Sequence, residues 1–442
     1  MSLNENDCLH CTTTGLDLFS SPPIQTAVEM GQWVEFYPLA TITQGGPIEF
    51  MIKGNSEDYL DLTNSYIHLQ AKVVQPDGTD LVAEDDSSVA PENLFLHALF
   101  SEVDVSLNGV LISNSTNTYS YRAYLETLLS YGTDAKNSQL ANAMFYKSGP
   151  SIFTLKPETK DNKDLQIRQK RINRSQTIDM VGRLHADLFS QNKFLMNGVD
   201  LSLRFIRSKS SFALLACPIA GGEKAKDYRI NITSMSLFIR KMKLNPGILL
   251  AHAKALEKCP ARYPIKRVTT KVFSVPKGNM NVVEENIFLS QRPNKLIIGL
   301  TSSVGFNGSL QKSCFEFSHF DINSLALYLS GYQIPTKAFR PDFENGTWAR
   351  SYFSLFQGTN TGFDDFGNSI SYEDYANGYS LFCFDLTPSV VDGAAVEMPR
   401  VGSLRLEIGF KKPLPEPIHI ICLGESDGMI QIDKARQVLT DF

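Results

Sequence analysis

Leu107-Asn-Gly-Val-Leu-Ile-Ser113, with Tyr121-Arg-Ala-Tyr-Leu-Glu-Thr-Leu-Leu129 just behind it, is the stretch from which the rest of the chain is read. Asn108-Gly109 stands between Val103-Asp-Val-Ser-Leu107 and Val110-Leu-Ile112. An Asn-Gly pair flanked by short apolar runs is a strong two-residue hairpin signal, because both turn positions need a positive φ. The segment behind it places Tyr121, Tyr124, Leu125, Leu128 and Leu129 on one helical face, with Gly132 beyond as a stop. The same wording recurs in the second half. There Leu329-Ser-Gly-Tyr-Gln-Ile-Pro335 is followed by Ala349-Arg-Ser-Tyr-Phe-Ser-Leu-Phe356, a helix expected to start at Thr347 and stop at Gly358.

Both copies continue into a long irregular stretch, Gly132 to Leu184 and Gly358 to Val401, and both close on an alternating strand. Leu201, Leu203 and Phe205 alternate with polar residues, as do Leu404, Leu406, Ile408 and Phe410, the period-2 pattern of half-buried strands. Asp77-Gly78 and Asn197-Gly198 mark further turns. Strand, hairpin, short helix, long loop and closing strands, written twice, predict an all-β chain of two tandem eight-stranded antiparallel jelly-roll sandwiches with short inserted helices. Length agrees, since 442 residues exceed what one hydrophobic core serves. Between the copies, Asn245-Pro246 starts a helix that ends at Cys259-Pro260. The expected organisation is an N-terminal arm (1–30), a first jelly roll (31–245), a linker helix (246–261) and a second jelly roll (262–442).

Composition excludes several functions. A net charge of −5 argues against general nucleic-acid wrapping, which needs excess cation to displace counterions from phosphates. The N-terminus lacks the basic and apolar regions of a signal peptide, and no run of about 18 apolar residues occurs, so neither secretion nor a membrane span is expected. The seven cysteines are few, odd in number and widely spaced, as reduced buried thiols are. The sequons at Asn114, Asn173, Asn231, Asn307 and Asn345 are read as turn composition.

No phosphate loop, zinc-protease helix, nucleophile elbow or EF-hand loop is present, and the seven histidines do not cluster. No enzyme activity, catalytic residue, cofactor or small-molecule substrate is expected. Cys8-Leu-His10-Cys11 lacks a fourth ligand for zinc, and the acidic run Asp364-Asp365 to Glu373-Asp374 lacks the ligand alternation of a calcium loop. Lys163, Arg168, Lys170, Arg171 and Arg174 form a basic stretch suited to inter-subunit salt bridges or to non-specific contact with genome DNA; it has no interleaved aromatics for base stacking. The long stretches carry Phe145, Tyr146, Phe153, Phe363, Phe366, Tyr372, Tyr375 and Tyr379. Solvated linkers rarely hold so many aromatics, which are enriched at interface hot spots, so these residues are expected at contacts between subunits.

Several stretches also resemble a known family. Gln32-Trp33-Val-Glu-Phe-Tyr-Pro38, Pro47-Ile-Glu-Phe-Met-Ile-Lys53, Tyr59-Leu-Asp-Leu62, Val103 to Gly109 and Tyr121 to Gly132 look like the double jelly-roll major capsid proteins of the Polinton/Maverick (adintovirus-like) group, related to the adenovirus-type hexon lineage. The resemblance covers most of the chain and is strongest from Trp33 to Lys147. It implies a homotrimer forming a pseudo-hexagonal capsomer of an icosahedral virion shell around double-stranded DNA. Neighbouring capsomers and a penton-type minor capsid protein would be its partners, with the N-terminal segment at the inner face. The chain is short beside adenovirus-type relatives, which leaves little for tall outward towers. Two other readings stay open: a two-domain carbohydrate-binding or glycan-processing β-sandwich, and a capsid-derived protein domesticated by a host genome.

Overall fold

The computed structural model describes residues 24–42, 45–55, 57–113, 116–149, 163–218, 225–288, 291–363, 365–387 and 402–440. Eight strands build the first sandwich: Val28–Phe36, Ile48–Ile52, Asp58–Val74, Phe100–Leu107, Val110–Leu111, Ile178–Gly182, Leu201–Arg207 and Arg229–Leu244. Eight more build the second: Ala261–Val275, Asn281–Glu284, Lys295–Ser302, Ile322–Leu329, Tyr332–Phe339, Leu381–Asp385, Leu404–Phe410 and Ile418–Ile432. Numbered in chain order within each sandwich, both sets have strands 1-8-3-6 in one sheet and 2-7-4-5 in the other, every neighbour antiparallel. One strand order appearing twice is the jelly-roll topology in duplicate.

The hairpins expected between strands 4 and 5 form in both halves. Asn108 and Gly109 have φ of 47° and 80°, and Ser330 and Gly331 have 48° and 87°, the left-handed pair that matches strand twist. Alternation reads out as burial: Leu201, Leu203, Phe205, Leu404, Leu406 and Ile408 are all buried. The sixth strands, Ile178–Gly182 and Leu381–Asp385, lie within stretches read from sequence as irregular. The first is short, and the second is apolar on both faces, so neither carries a usable period.

Strand Val28–Phe36 begins within the residues assigned to the arm. Ala261–Val275 begins four residues before Ile265 and tolerates Pro264 because it is an edge strand. Between the sandwiches, helix Pro246–Leu256 is capped as its sequence predicts, the Asn245 side chain accepting from the Gly247 amide at 2.9 Å. It ends at Leu256, short of the expected Cys259-Pro260, and two other helix boundaries also differ from expectation. Helix Tyr119–Ser130 ends at an extended Tyr131, and Gly132, at φ −77°, caps the next helix, Thr133–Asn137. Thr347 exchanges backbone hydrogen bonds with Asp342, leaving Trp348 as the cap of helix Ala349–Gln357.

Strands Lys295–Ser302, Leu381–Asp385 and the middle of Ile418–Ile432 are buried on both faces. Leu296, Ile298, Leu300, Ile420 and Cys422 fill the second sandwich's own core. Their neighbours Ile297, Cys383, Ile421 and Leu423 join the core that begins in the first sandwich. One sheet of the second half is thus sandwiched twice, and the two halves share apolar interior.

Candidate functional site

The connection between strands 5 and 6 carries the helices in each half, and the two insertions meet. Helix Tyr119–Ser130 lays Tyr124 flat on Phe315, with ring centroids 4.2 Å apart and planes 1° from parallel. Tyr121 stacks on Phe306 at 5.3 Å and meets Phe212 edge-on. Thr133 Oγ1 donates to Ser369 Oγ at 3.0 Å, Tyr379 OH donates to the Ser148 carbonyl at 2.7 Å, and Lys147 pairs with Asp374. The Lys136 ammonium is wedged between the carbonyls of Leu128 and Asn368. Burial, with Lys147 nearby, pushes it down to about 7. This seam joins the halves of one chain.

The seam accounts for three of the eight aromatics expected at subunit contacts. Phe145, Tyr375 and Tyr379 are fully buried inside the chain's own core, so they are not surface residues; their long loops fold back onto the other half. Tyr146 is partly buried, its hydroxyl accepting from Arg171 at 3.4 Å. Phe153, like Cys8, His10, Cys11 and Asp364, lies outside the described residues. Phe363 is 99% exposed, Phe366 60% and Tyr372 38%. Phe353, a residue the sequence reading passed over, joins them at 41%, its ring 6.2 Å from that of Phe363. Its signal was legible: Phe353 falls off the face that Trp348, Tyr352, Leu355 and Phe356 share.

The basic stretch is divided by its own helix, Lys163–Lys170. Arg168 points inward and is 1% exposed, bonding the Pro91 carbonyl at 3.0 Å and Ser148 Oγ at 3.1 Å, 3.5 Å from Glu92. It cannot touch DNA or a neighbour, which corrects its assignment to the contact set. Lys163, Lys170, Arg171 and Arg174 are exposed, Arg174 bonding Asp86 through its amide and guanidinium.

The densest group of buried titratable side chains is structural. His185 Nδ1 lies 2.7 Å from Glu126, whose other oxygen accepts from Arg122 at 2.8 Å, while Arg122 also reaches Asp187 at 2.7 Å. Asp187 in turn accepts from the Val268 amide of the second sandwich at 3.3 Å. Burial works against the Glu126 carboxylate, but Arg122 and His185 outweigh it and hold the group down at about 2. His97, 3.0 Å from Tyr119 OH, is held neutral by burial, with His185 adding to the effect. Two spaces adjoin this network, one of about 20 Å³ beside Arg122, His185 and Val268, room for a water, and one of about 210 Å³ beside His97, Arg183 and His185. Among the described residues no three His, Cys, Asp or Glu side chains converge as metal ligands. No described helix is long and apolar enough to cross a membrane.

No protein-family model matches the chain. An uncharacterized protein of Caenorhabditis elegans is 24% identical over 431 residues, spanning 95% of this chain and 99% of the relative. Among solved structures, a chain of the Sputnik virophage superposes with a TM-score of 0.64 at 12% identity, covering 99% of this chain and 93% of that one. The mavirus major capsid protein gives 0.55 at 10% identity over 100% and 97%, and the Faustovirus major capsid protein 0.55 at 10% over 94% and 92%. Coverage is end to end on both sides, so both sandwiches and the connection between them are matched together. The chain therefore has the double jelly-roll fold of viral major capsid proteins.

Proposed function

We propose that this chain is a structural shell protein whose homotrimers are pseudo-hexagonal capsomers, tiling an icosahedral virion around double-stranded DNA. The observation that carries the reading is the duplicated 1-8-3-6 and 2-7-4-5 strand order, fused into one body and matching solved capsid chains from end to end. Two like sandwiches per chain and three chains per ring supply six similar edges, which a hexagonal lattice requires. A heterologous contact that closes a ring needs two different complementary patches on each copy. The exposed cations Lys163, Lys170 and Arg171 lie on the first half, and the aromatic corner of Phe353, Phe363 and Phe366, beside Asp365 and Glu373, lies on the second. The full-length relative in an animal supports placement among capsid genes carried in animal genomes, the Polinton-like group. Neighbouring capsomers and a penton-type protein are the partners this role requires.

The test is solution mass by light scattering with negative-stain imaging. Three times the 49.2 kDa chain, about 148 kDa, with a pseudo-hexagonal outline is expected. Phe363→Asp with Phe366→Asp should shift that mass toward the monomer while leaving the unfolding midpoint unchanged. A monomer at every concentration would overturn the reading.

A further inference from the structure

Helix Pro246–Leu256 turns one stripe toward the sandwiches: His252, Ala255, Leu256 and, just past its end, Cys259, at the spacing of a single helical face. Beneath that stripe lies a cleft of about 500 Å³. Its apolar walls come from three parts of the chain: Tyr59, Phe194 and Met196 of the first half, the helix itself, and Tyr263 of the second half. Clefts of roughly 300–1,000 Å³ with apolar walls and a few placed polar groups are the usual form of small-molecule sites.

The polar groups of the cleft select a charge. Tyr59 OH and His252 Nδ1 lie 3.0 Å apart, and the Met196 amide donates to Tyr263 OH at 3.1 Å, so these interior groups already have partners. Lys193 and Arg262 are exposed and stand at the mouth. Lys193 Nζ donates to the Arg262 carbonyl at 2.9 Å, and among the described residues neither cation pairs with a carboxylate. No Asp or Glu lines the cleft, and Glu257, just past the helix end, is turned to Lys434 at 3.1 Å. Arg436 adds to the positive field: burial raises the Tyr59 and Tyr263 hydroxyls, and this guanidinium opposes the rise at both. An apolar interior with two uncompensated cations at its mouth complements a molecule with an alkyl body and an anionic head, and a carboxylate matches the fork of Arg262. The stripe from His252 to Cys259 is about 10 Å long, which suits a body of medium chain length.

We propose that this cleft binds a medium-chain alkyl carboxylate, its tail under the helix against Tyr59, Met196 and Tyr263 and its head at Lys193 and Arg262. The walls belong to both halves and to the helix that joins them, so the bound molecule is a third component of the junction and stabilises it by mass action. The Cys259 thiol, exposed in the structure, is covered when the cleft is filled.

The test uses full-length protein carrying Cys8→Ser and Cys11→Ser, in which Cys217, Cys314, Cys383 and Cys422 are buried and Cys259 is exposed. Decanoate, kept below its micelle-forming concentration, is titrated by calorimetry, with decanol and decyltrimethylammonium as probes of the head group. Decanoate should saturate at one molecule per chain, raise the thermal midpoint and slow modification of Cys259 by an aromatic disulfide reagent. Decanol and the ammonium should bind more weakly, by on the order of tenfold. Lys193→Glu with Arg262→Glu should weaken decanoate by a similar factor and leave decanol unchanged, whereas Ala255→Trp, which fills the cleft, should abolish both. The absence of saturable binding would overturn the proposal, as would decanol binding as tightly as decanoate or binding that Ala255→Trp leaves intact. A Cys259 thiol protected without any ligand overturns it too: protection at every protein concentration means that another segment of the chain holds the cleft, and protection that grows with concentration means a second copy. Lys193 and Arg262 are exposed, so the charge reversal reads out even should Ala255→Trp fail to fold.

Discussion

Arg168 shows how position decides the role of a charged residue. It sits in the most basic stretch of the chain, but a helical turn aims it inward onto Glu92, Pro91 and Ser148. Arg168→Ala would leave the Glu92 carboxyl buried without its cation, at a cost of about 3–5 kcal/mol, read from the urea midpoint. Lys170→Glu, on the exposed side, should change stability by no more than about 0.5 kcal/mol. His97 makes the second residue-scale prediction. Its folded-state pKa lies well below 6.5 because the ring is buried, so below pH 6.5 the unfolded chain binds a proton that the folded chain refuses. Stability should fall as pH drops from 6.5 toward 5, at up to about 1.4 kcal/mol per pH unit. His319 and His419, also lowered by burial, act in the same direction. Equilibrium unfolding at a series of pH values should show a flatter slope for His97→Gln.

At the scale of elements, the hairpin turns show a local signal transmitted intact. A side chain at Gly109 would meet nothing within 4 Å, so Gly109→Val tests backbone conformation alone. The 80° φ predicts a loss of about 1–2 kcal/mol, measured by chemical denaturation, and Gly109→Asn should recover most of it. Both hairpins, the Asn245 cap and the alternating seventh strands were legible for the same reason: each is decided by residues within a few positions of one another. The sixth strands were not. Leu381-Phe-Cys-Phe-Asp385 has one face on the second sandwich's core and the other on the shared core, and burial on both sides erases the period that identifies a strand. In helix Ala349–Gln357 helical periodicity separates a buried Leu355 from an exposed Phe353, which falls off the shared apolar face, so that exposure was legible although the sequence reading did not draw it.

For the whole molecule, the consequence of the seam is cooperativity. The halves share apolar core, the Tyr124–Phe315 stack, the Lys136 and Lys147 contacts and the Arg122–Asp187–Val268 link. Scanning calorimetry should therefore show one transition where two independent sandwiches would give two. Tyr124→Ala removes a fully buried ring from the seam, a loss of about 3–5 kcal/mol, and should separate that transition into two.

What the amino-acid order determined by itself was the grammar of the fold: period-2 strands, two left-handed turns, three short helices, the Asn245 cap of one of them, and the repetition of hairpin and helix in the same order. These follow from sterics and burial over short separations, which a linear reading captures. Only the tertiary structure decided where the long insertions go. It turned Phe145, Tyr375 and Tyr379 into core, took Arg168 out of the contact set, and left Phe353, Phe363 and Phe366 in solvent. An aromatic or a cation has the same identity in all these settings, and its part is set by what the distant half of the chain brings against it.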